Sequence, residues 1–133
     1  MSKSLAAAAL LLALSACQTS WSIHGQVAAA QSGGSGDAVG DLTPVPLSRA
    51  KVTLRCPTAK TGKFVERTVM ADHLGLFQLE GSGPGPSLDC VVIAEAPGHA
   101  PSVTAVDEAC ADADDGEGRC TSATLLAELQ PLK

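Results

Sequence analysis

Turn-forming residues divide most of the chain into short segments, and this division limits what the chain can fold into. All 13 glycines and all eight prolines lie beyond position 20. Between them, apolar and polar residues alternate with the period of two that is typical of β-strands, as in the segment from Ala50 to Cys56. No stretch has the periodicity of a long amphipathic helix. The sequence therefore predicts an all-β domain.

The alternating segments predict seven β-strands, at residues 23–28, 50–56, 64–70, 76–80, 90–96, 102–106 and 121–130. The segment 90–96 is apolar at both parities, which is typical of a central strand that is covered on both faces. Short strands with turn signals between them favour an antiparallel β-sandwich. Periodicity alone leaves an all-β barrel as the alternative.

The first 16 residues differ in composition from the rest of the chain. Twelve of them are apolar, and Lys3 precedes an uninterrupted apolar run from Leu5 to Leu14. A membrane-spanning helix needs about 20 apolar residues, so this shorter run predicts a cleaved export signal helix rather than a transmembrane helix. We expect a signal peptide at residues 1–16, a tether at 17–22 and the β-sandwich at 23–133.

The end of this apolar segment carries a more specific motif. Leu14-Ser15-Ala16-Cys17 resembles the lipobox of bacterial lipoproteins. That resemblance implies that Cys17 is thioether-linked to diacylglycerol and becomes the new N-terminus after cleavage. Two or three acyl chains together hold a protein stably on a membrane. The alternatives are an ordinary secretory signal that happens to end in cysteine, or a buried helix rich in Ala and Leu.

Four cysteines remain once Cys17 is set aside: Cys56, Cys90, Cys110 and Cys120. An even number in an exported chain predicts two disulfides, with three possible connectivities. The simplest pairing joins Cys110 to Cys120, which are close in sequence, and Cys56 to Cys90, which share the inward parity of their strands. The cysteines form no CxxC pair and no histidine stands at ligand spacing, so we expect no metal site.

Four short motifs in order suggest a family. They are Gly25-Gln26-Val27, the segment from Pro46 to Leu54, the segment from Asp72 to Leu79, and an alternating strand from Cys90 that ends in Pro97-Gly98-His99. Together they resemble the carboxypeptidase regulatory-like domain over residues 23–106. The resemblance implies a seven-stranded, prealbumin-like sandwich that acts as a noncatalytic accessory module. Cys90 and His99 depart from the pattern, because the family usually has Tyr at both positions.

Within the motif from Asp72 to Leu79, the residues suggest a specific turn. The Asp72 carboxylate can accept backbone N–H groups, Gly75 can take a positive φ, and Phe77 can then anchor the core. The family carries no active site over to this chain.

Candidate catalytic residues are few. The three histidines, His24, His73 and His99, fall in a strand, a turn and a loop, and no nucleophile motif accompanies them. Asp112, Asp114, Asp115 and Glu117 form an acidic segment between two cysteines, but their spacing does not match a calcium-binding loop. Trp21 is expected either at the membrane interface or over an edge of the sandwich. We expect no catalytic site and no cofactor.

These observations favour a non-enzymatic binding or structural module of the bacterial cell envelope, anchored to the membrane through Cys17. Gln18 after the anchor resembles the sorting signal of outer-membrane lipoproteins. The partner would be an envelope protein or a glycan, whereas the net charge of −5 argues against nucleic acid. The alternatives are a carbohydrate-binding module and a hydrolase resembling transthyretin-related enzymes. The second alternative is disfavoured, because that family ends in Tyr-Arg-Gly-Ser and this chain does not.

Overall fold

The computed structural model describes residues 20–30, 45–58, 62–114 and 118–132. Within these ranges the chain forms nine strands: β1 Ser20–Ala29, β2 Val45–Pro46, β3 Lys51–Pro57, β4 Phe64–Met70, β5 Leu76–Ser82, β6 Val91–Glu95, β7 Ser102–Ala105, β8 Cys110–Asp114 and β9 Arg119–Leu129. One helical turn, α1, spans Val106–Ala109. The signal peptide expected at 1–16 and the lipidation expected at Cys17 lie outside the described residues.

The strands form two separate sheets. In the first sheet the order is β2-β1-β9-β8, and β5 also pairs with β1. Strand β1 therefore has β9 along one edge, and along the other edge it has β5 followed by β2. The second sheet has the order β4-β3-β6-β7, with β6 as a central strand. The prediction of an all-β sandwich is confirmed, and the barrel alternative is excluded.

The expectation that all strands are antiparallel is wrong for one pair. Strands β1 and β9 run parallel, in register from Ser22 opposite Ser122 to Ala29 opposite Leu129. Alternation in sequence reports which side chains face the core, but it does not report the direction of the neighbouring strand. Strand β1 also begins earlier than expected, so Ser20 to Ser22, assigned above to the tether, belong to the sandwich.

The expectation of seven strands is wrong for the described ranges, which hold nine, because β2 and β8 are additional; several strand ends also differ from expectation. The strand expected at 102–106 ends at Ala105, because Val106 starts α1 and is fully buried. Strand β5 continues to Ser82. Strand β8 forms in a segment expected to be an acidic loop, where it pairs with β9 through an irregular register. The strands expected at 64–70 and 121–130 match β4 and β9 closely.

The core lies between the two sheets and is built mainly from Val, Leu and Ala. Phe77 is its aromatic member and is 5% exposed. Thr53 is the buried polar residue of the described chain, and its hydroxyl hydrogen-bonds the Thr68 hydroxyl at 3.1 Å. No side-chain N or O atom that is buried in the described ranges lacks a hydrogen-bond partner. The described core is therefore poor in aromatic residues, and its buried polar side chains are all hydrogen-bonded.

Two disulfides join the strands, in the pairing expected from sequence. Cys56 bonds Cys90, across 34 positions of the chain, and Cys110 bonds Cys120, across 10 positions. Cys90 and Cys120 are fully buried. The first bond links β3 to the residue just before β6, and the second links β8 to β9. Each disulfide therefore fixes a strand pair at the margin of the core.

The turn before β5 has the geometry expected from its sequence. An Asp72 carboxylate oxygen accepts the backbone N–H groups of Leu74 and Leu76, at 2.8 and 2.9 Å. Gly75 takes a φ of 74°, and a Cβ there would lie 2.4 Å from the Val27 carbonyl oxygen. The backbone N–H groups of Leu76 and Leu74 lower the pKa of Asp72 below its usual value. The turn thereby sets the register of β5 against β1.

Candidate binding surfaces

The outer face of the first sheet forms an open groove of about 840 Å³. Outward-facing residues of the three neighbouring strands β1, β5 and β9 line it: Ser22, His24, Gln26, Leu76, Gln78, Thr124 and Leu126. We call this the sheet groove. Strand pairing brings these residues together from three distant parts of the sequence, so no local motif could have identified them.

The sheet groove combines hydrogen-bonding groups with aliphatic side chains. His24 Nε2 and Thr124 Oγ1 lie 3.2 Å apart, and Gln26 Nε2 donates to the Leu74 carbonyl oxygen at 3.0 Å. Leu76 and Leu126 are 46% and 48% exposed. None of the lining residues is Lys or Arg, and His24 is the titratable one. Such a surface can hydrogen-bond and pack against a partner, but it supplies no charged pair for acid–base chemistry.

Gly25 forms part of the floor of the sheet groove, at a point where the β1 and β9 backbones approach closely. A Cβ at this position would lie 1.9 Å from the Leu125 carbonyl oxygen. Real Cβ contacts are never this short, so only glycine fits without a shift of the backbone. The glycine of the Gly25-Gln26-Val27 motif is thus explained by packing of the parallel strand pair rather than by ligand contact.

A second concave surface lies at the end of the sandwich where β1 begins. This cleft has a volume of about 350 Å³ and includes Trp21, Arg67, Arg119 and the loop from Pro84 to Ser87. The Arg67 guanidinium stacks over the Trp21 ring at 5.6 Å and also donates to the Glu80 carbonyl oxygen. Arg119 Nη1 donates to the Gly85 carbonyl oxygen at 3.0 Å. Both arginines are therefore held by internal contacts.

Trp21 covers this end of the sandwich, which is one of the two positions expected for it. It is half-buried and packs against the core. A Cβ at Gly81 would lie 2.7 Å from the indole ring, so the opposite strand must carry glycine there. The sequence signal for this packing is Gly81 itself, which lies directly opposite Trp21 in the register of β1 and β5.

The other residues considered for chemistry remain apart. His24 lies on β1, His73 in the turn before β5, and His99 in the loop after β6, where its Nδ1 lies 2.9 Å from the Pro97 carbonyl oxygen. Across the described ranges, no three His, Cys, Asp or Glu side chains are grouped as a metal site. Asp112 lies on β8, while residues 115–117 of the acidic segment lie outside the described part.

Comparisons with known proteins identify a structure with a similar fold, but they identify no family and no function for this chain. No protein-family profile matches the chain, and no curated protein matches it. The chain is similar to the crystal structure of the major plantain pollen allergen Pla l 1, with a TM-score of 0.50 and 11% identity over 85% of this chain and 94% of that one. At this identity the likeness shows the fold alone. No helix in the described ranges is long and apolar enough to cross a membrane.

Proposed function

We propose that this chain is an exported lipoprotein whose β-sandwich is a non-enzymatic accessory module of the bacterial cell envelope. The observation that carries the proposal is the partnership of the cysteines. Four of the five bond to one another, which leaves Cys17 without a cysteine partner in the chain. An exported protein with one leftover cysteine, placed directly after an apolar signal-like segment, is best explained by lipidation at that cysteine.

The two disulfides support export independently of the signal-like segment. Structural disulfides form and persist in oxidising compartments and are rare in the reducing cytosol. Both bonds join strands at the margin of an aromatic-poor core, where they contribute stability that the core alone supplies poorly. Export, a lipid anchor and a disulfide-stabilised small domain form one consistent account. With Gln18 after the anchor, we place the protein at the outer membrane.

We further propose that the sandwich is a prealbumin-like domain of the carboxypeptidase regulatory-like kind. Support comes from the roles of its motif residues. Gly25 permits close strand approach, Val27 and Ala50 are fully buried, and the turn from Asp72 to Gly75 places Phe77 in the core. These are structural roles, in keeping with an accessory module that carries no active site.

The sheet groove is the surface through which such a module would bind a partner. Its mixture of amide, hydroxyl and leucine side chains suits a protein partner. Sugar-binding platforms generally use exposed aromatic rings, and the one aromatic residue that borders the sheet groove, Phe77, is buried beneath it. An envelope protein is therefore the partner class that the geometry favours over a glycan.

Replacement of the proposed lipidation site tests the anchor. We expect Cys17→Ala to move the protein from the membrane fraction to the soluble fraction, because the acyl chains would be lost. Thr19→Ala is the matched control, since it alters a neighbour of the cysteine but leaves the motif Leu14-Ser15-Ala16-Cys17 intact. Unchanged fractionation of the Cys17→Ala protein would contradict the proposal.

A further inference from the structure

One end of the sandwich gathers the strand termini that lie nearest to Cys17. Strand β1 begins there at Ser20, opposite the end of β5 at Ser82. The register of the second sheet places the end of β3 at Pro57 opposite the start of β4 at Phe64. The cleft described above lies at this end and is lined by residues of both sheets, among them Trp21 of the first sheet and Pro57 of the second. We call this the anchor end.

The distance from the proposed lipid to the anchor end is short. Ser20 is three positions after Cys17, and a fully extended chain spans at most about 3.6 Å per position, or roughly 11 Å in all. The headgroup layer on each side of a bilayer is about 5 to 8 Å thick. A folded domain on so short a connection must rest close to the headgroups.

The anchor end also carries side chains suited to that environment. Of the three aromatic residues in the chain, Phe77 is in the core, whereas Trp21 and Phe64 lie at the anchor end. Phe64 and its neighbour Val65 are 56% and 63% exposed. Aromatic rings and long cationic side chains are the groups that favour the membrane–water interface.

Basic residues surround the exposed pair on the hairpin formed by β3 and β4. The Arg55 guanidinium lies 5.6 Å from the centre of the Phe64 ring and also pairs with Glu66 at 3.0 Å. Lys63 and Arg67 flank the pair and are exposed, and the Arg67 guanidinium is at the same time held by the Trp21 ring and the Glu80 carbonyl oxygen. Beside these three cations, Glu66 is the one carboxylate in the described part of the hairpin, and it pairs with Arg55. The hairpin therefore suits a membrane surface, where anionic headgroups cover an apolar interior.

We propose that the anchor end docks on the lipid headgroups through Phe64 and Val65 at the start of β4. This inference rests on lipidation of Cys17, and it adds an orientation that lipidation alone does not give. The acidic strand β8 also reaches this end, since Asp114 pairs opposite Arg119, but it belongs to the other sheet, so the contact is made by the β3–β4 hairpin of the second sheet. The turn that contains Leu74, at the opposite end of β5, then points away from the bilayer, and the sheet groove opens sideways to partners.

Fluorescence quenching on vesicles tests this orientation. The protein is purified from membranes and reconstituted in vesicles of phosphatidylethanolamine and phosphatidylglycerol, with and without brominated acyl chains. Phe64→Trp and Leu74→Trp are matched variants, because both replace an exposed apolar residue and they lie at opposite ends of the sandwich. Wild-type protein gives the Trp21 signal to be subtracted. We expect brominated lipid to quench the indole at position 64 at least threefold more than the indole at position 74.

A second measurement needs no substitution at the contact. A water-soluble amine reagent should label Lys63 at least threefold less on vesicle-bound protein than on soluble Cys17→Ala protein. Lys51, exposed at the other end of β3, should be labelled equally in both. Equal quenching at positions 64 and 74, or equal labelling of Lys63, in protein that floats with vesicles would overturn the orientation alone. Protein that lacks acyl chains at Cys17 and fails to float would overturn the proposed function, and the orientation with it.

Discussion

The two disulfides offer a matched test of how this small sandwich is stabilised. Each joins one half-buried and one fully buried cysteine, so the packing lost on replacement by alanine is similar for the two pairs. They differ in the length of chain that they close, 34 positions for Cys56 and Cys90 against 10 for Cys110 and Cys120. The variants Cys56→Ala/Cys90→Ala and Cys110→Ala/Cys120→Ala therefore isolate the effect of loop length.

The loop-entropy relation gives the expected magnitudes. Closing the longer loop restricts the unfolded chain by about 3.8 kcal/mol at 25 °C, and closing the shorter one by about 2.7 kcal/mol. Small domains have only about 5–15 kcal/mol of stability in total. We therefore expect both variants to be strongly destabilised, with the variant that lacks the Cys56–Cys90 bond less stable by about 1 kcal/mol.

Urea unfolding followed by circular dichroism measures these free energies. All proteins carry Cys17→Ala so that they are soluble and differ only in the disulfides. The free energy of unfolding is extrapolated to zero denaturant, and the slopes must agree for the comparison to hold. If loss of the Cys110–Cys120 bond cost as much as loss of the Cys56–Cys90 bond, or more, restriction of the unfolded chain would not be the main source of stabilisation.

Two further predictions concern backbone features. Gly25→Ala should lower the free energy of unfolding by at least about 3 kcal/mol, because its Cβ would collide with the Leu125 carbonyl oxygen. Gly83→Ala, where φ is 87° and no atom lies within 4 Å, should cost only about 1 kcal/mol, and equal losses in thermal melts would refute the collision. Because hydrogen bonds from Leu76 and Leu74 lower the pKa of Asp72, its contribution to stability is present above about pH 4 and is lost as pH falls through the lowered pKa. Asp72→Asn should therefore lose less stability on acidification than wild type in urea titrations, and identical pH profiles would contradict this role.

Local chemistry accounts for the features that sequence predicted well. The turn from Asp72 to Gly75 depends on a carboxylate that accepts nearby N–H groups and on a glycine at positive φ, both of which are written in four consecutive residues. The pairing of Cys56 with Cys90 could be predicted because alternate side chains of a strand point to the same face, and both cysteines fall on the inward-facing positions. Both inferences needed only a few neighbouring positions.

Features that depend on long-range pairing could not be predicted in this way. The parallel contact of β1 with β9 joins segments about 100 positions apart, and alternation is the same for either strand direction. Strand β8 is rich in Asp and Ala, which are depleted in strands, and it is held in place by pairing with β9 and by the Cys110–Cys120 bond. The sheet groove arises only once β1, β5 and β9 are aligned, so its residues carry no local signature.

The mass of the N-terminal peptide tests the central claim most directly. Protein purified from membranes is digested, and the peptide that contains Cys17 is analysed by mass spectrometry. The account predicts a chain that begins at Cys17 and carries diacylglycerol on its sulfur, with the other four cysteines in two disulfides. An N-terminus at another residue, an unmodified Cys17 thiol, or Cys17 in a disulfide between two chains would contradict it.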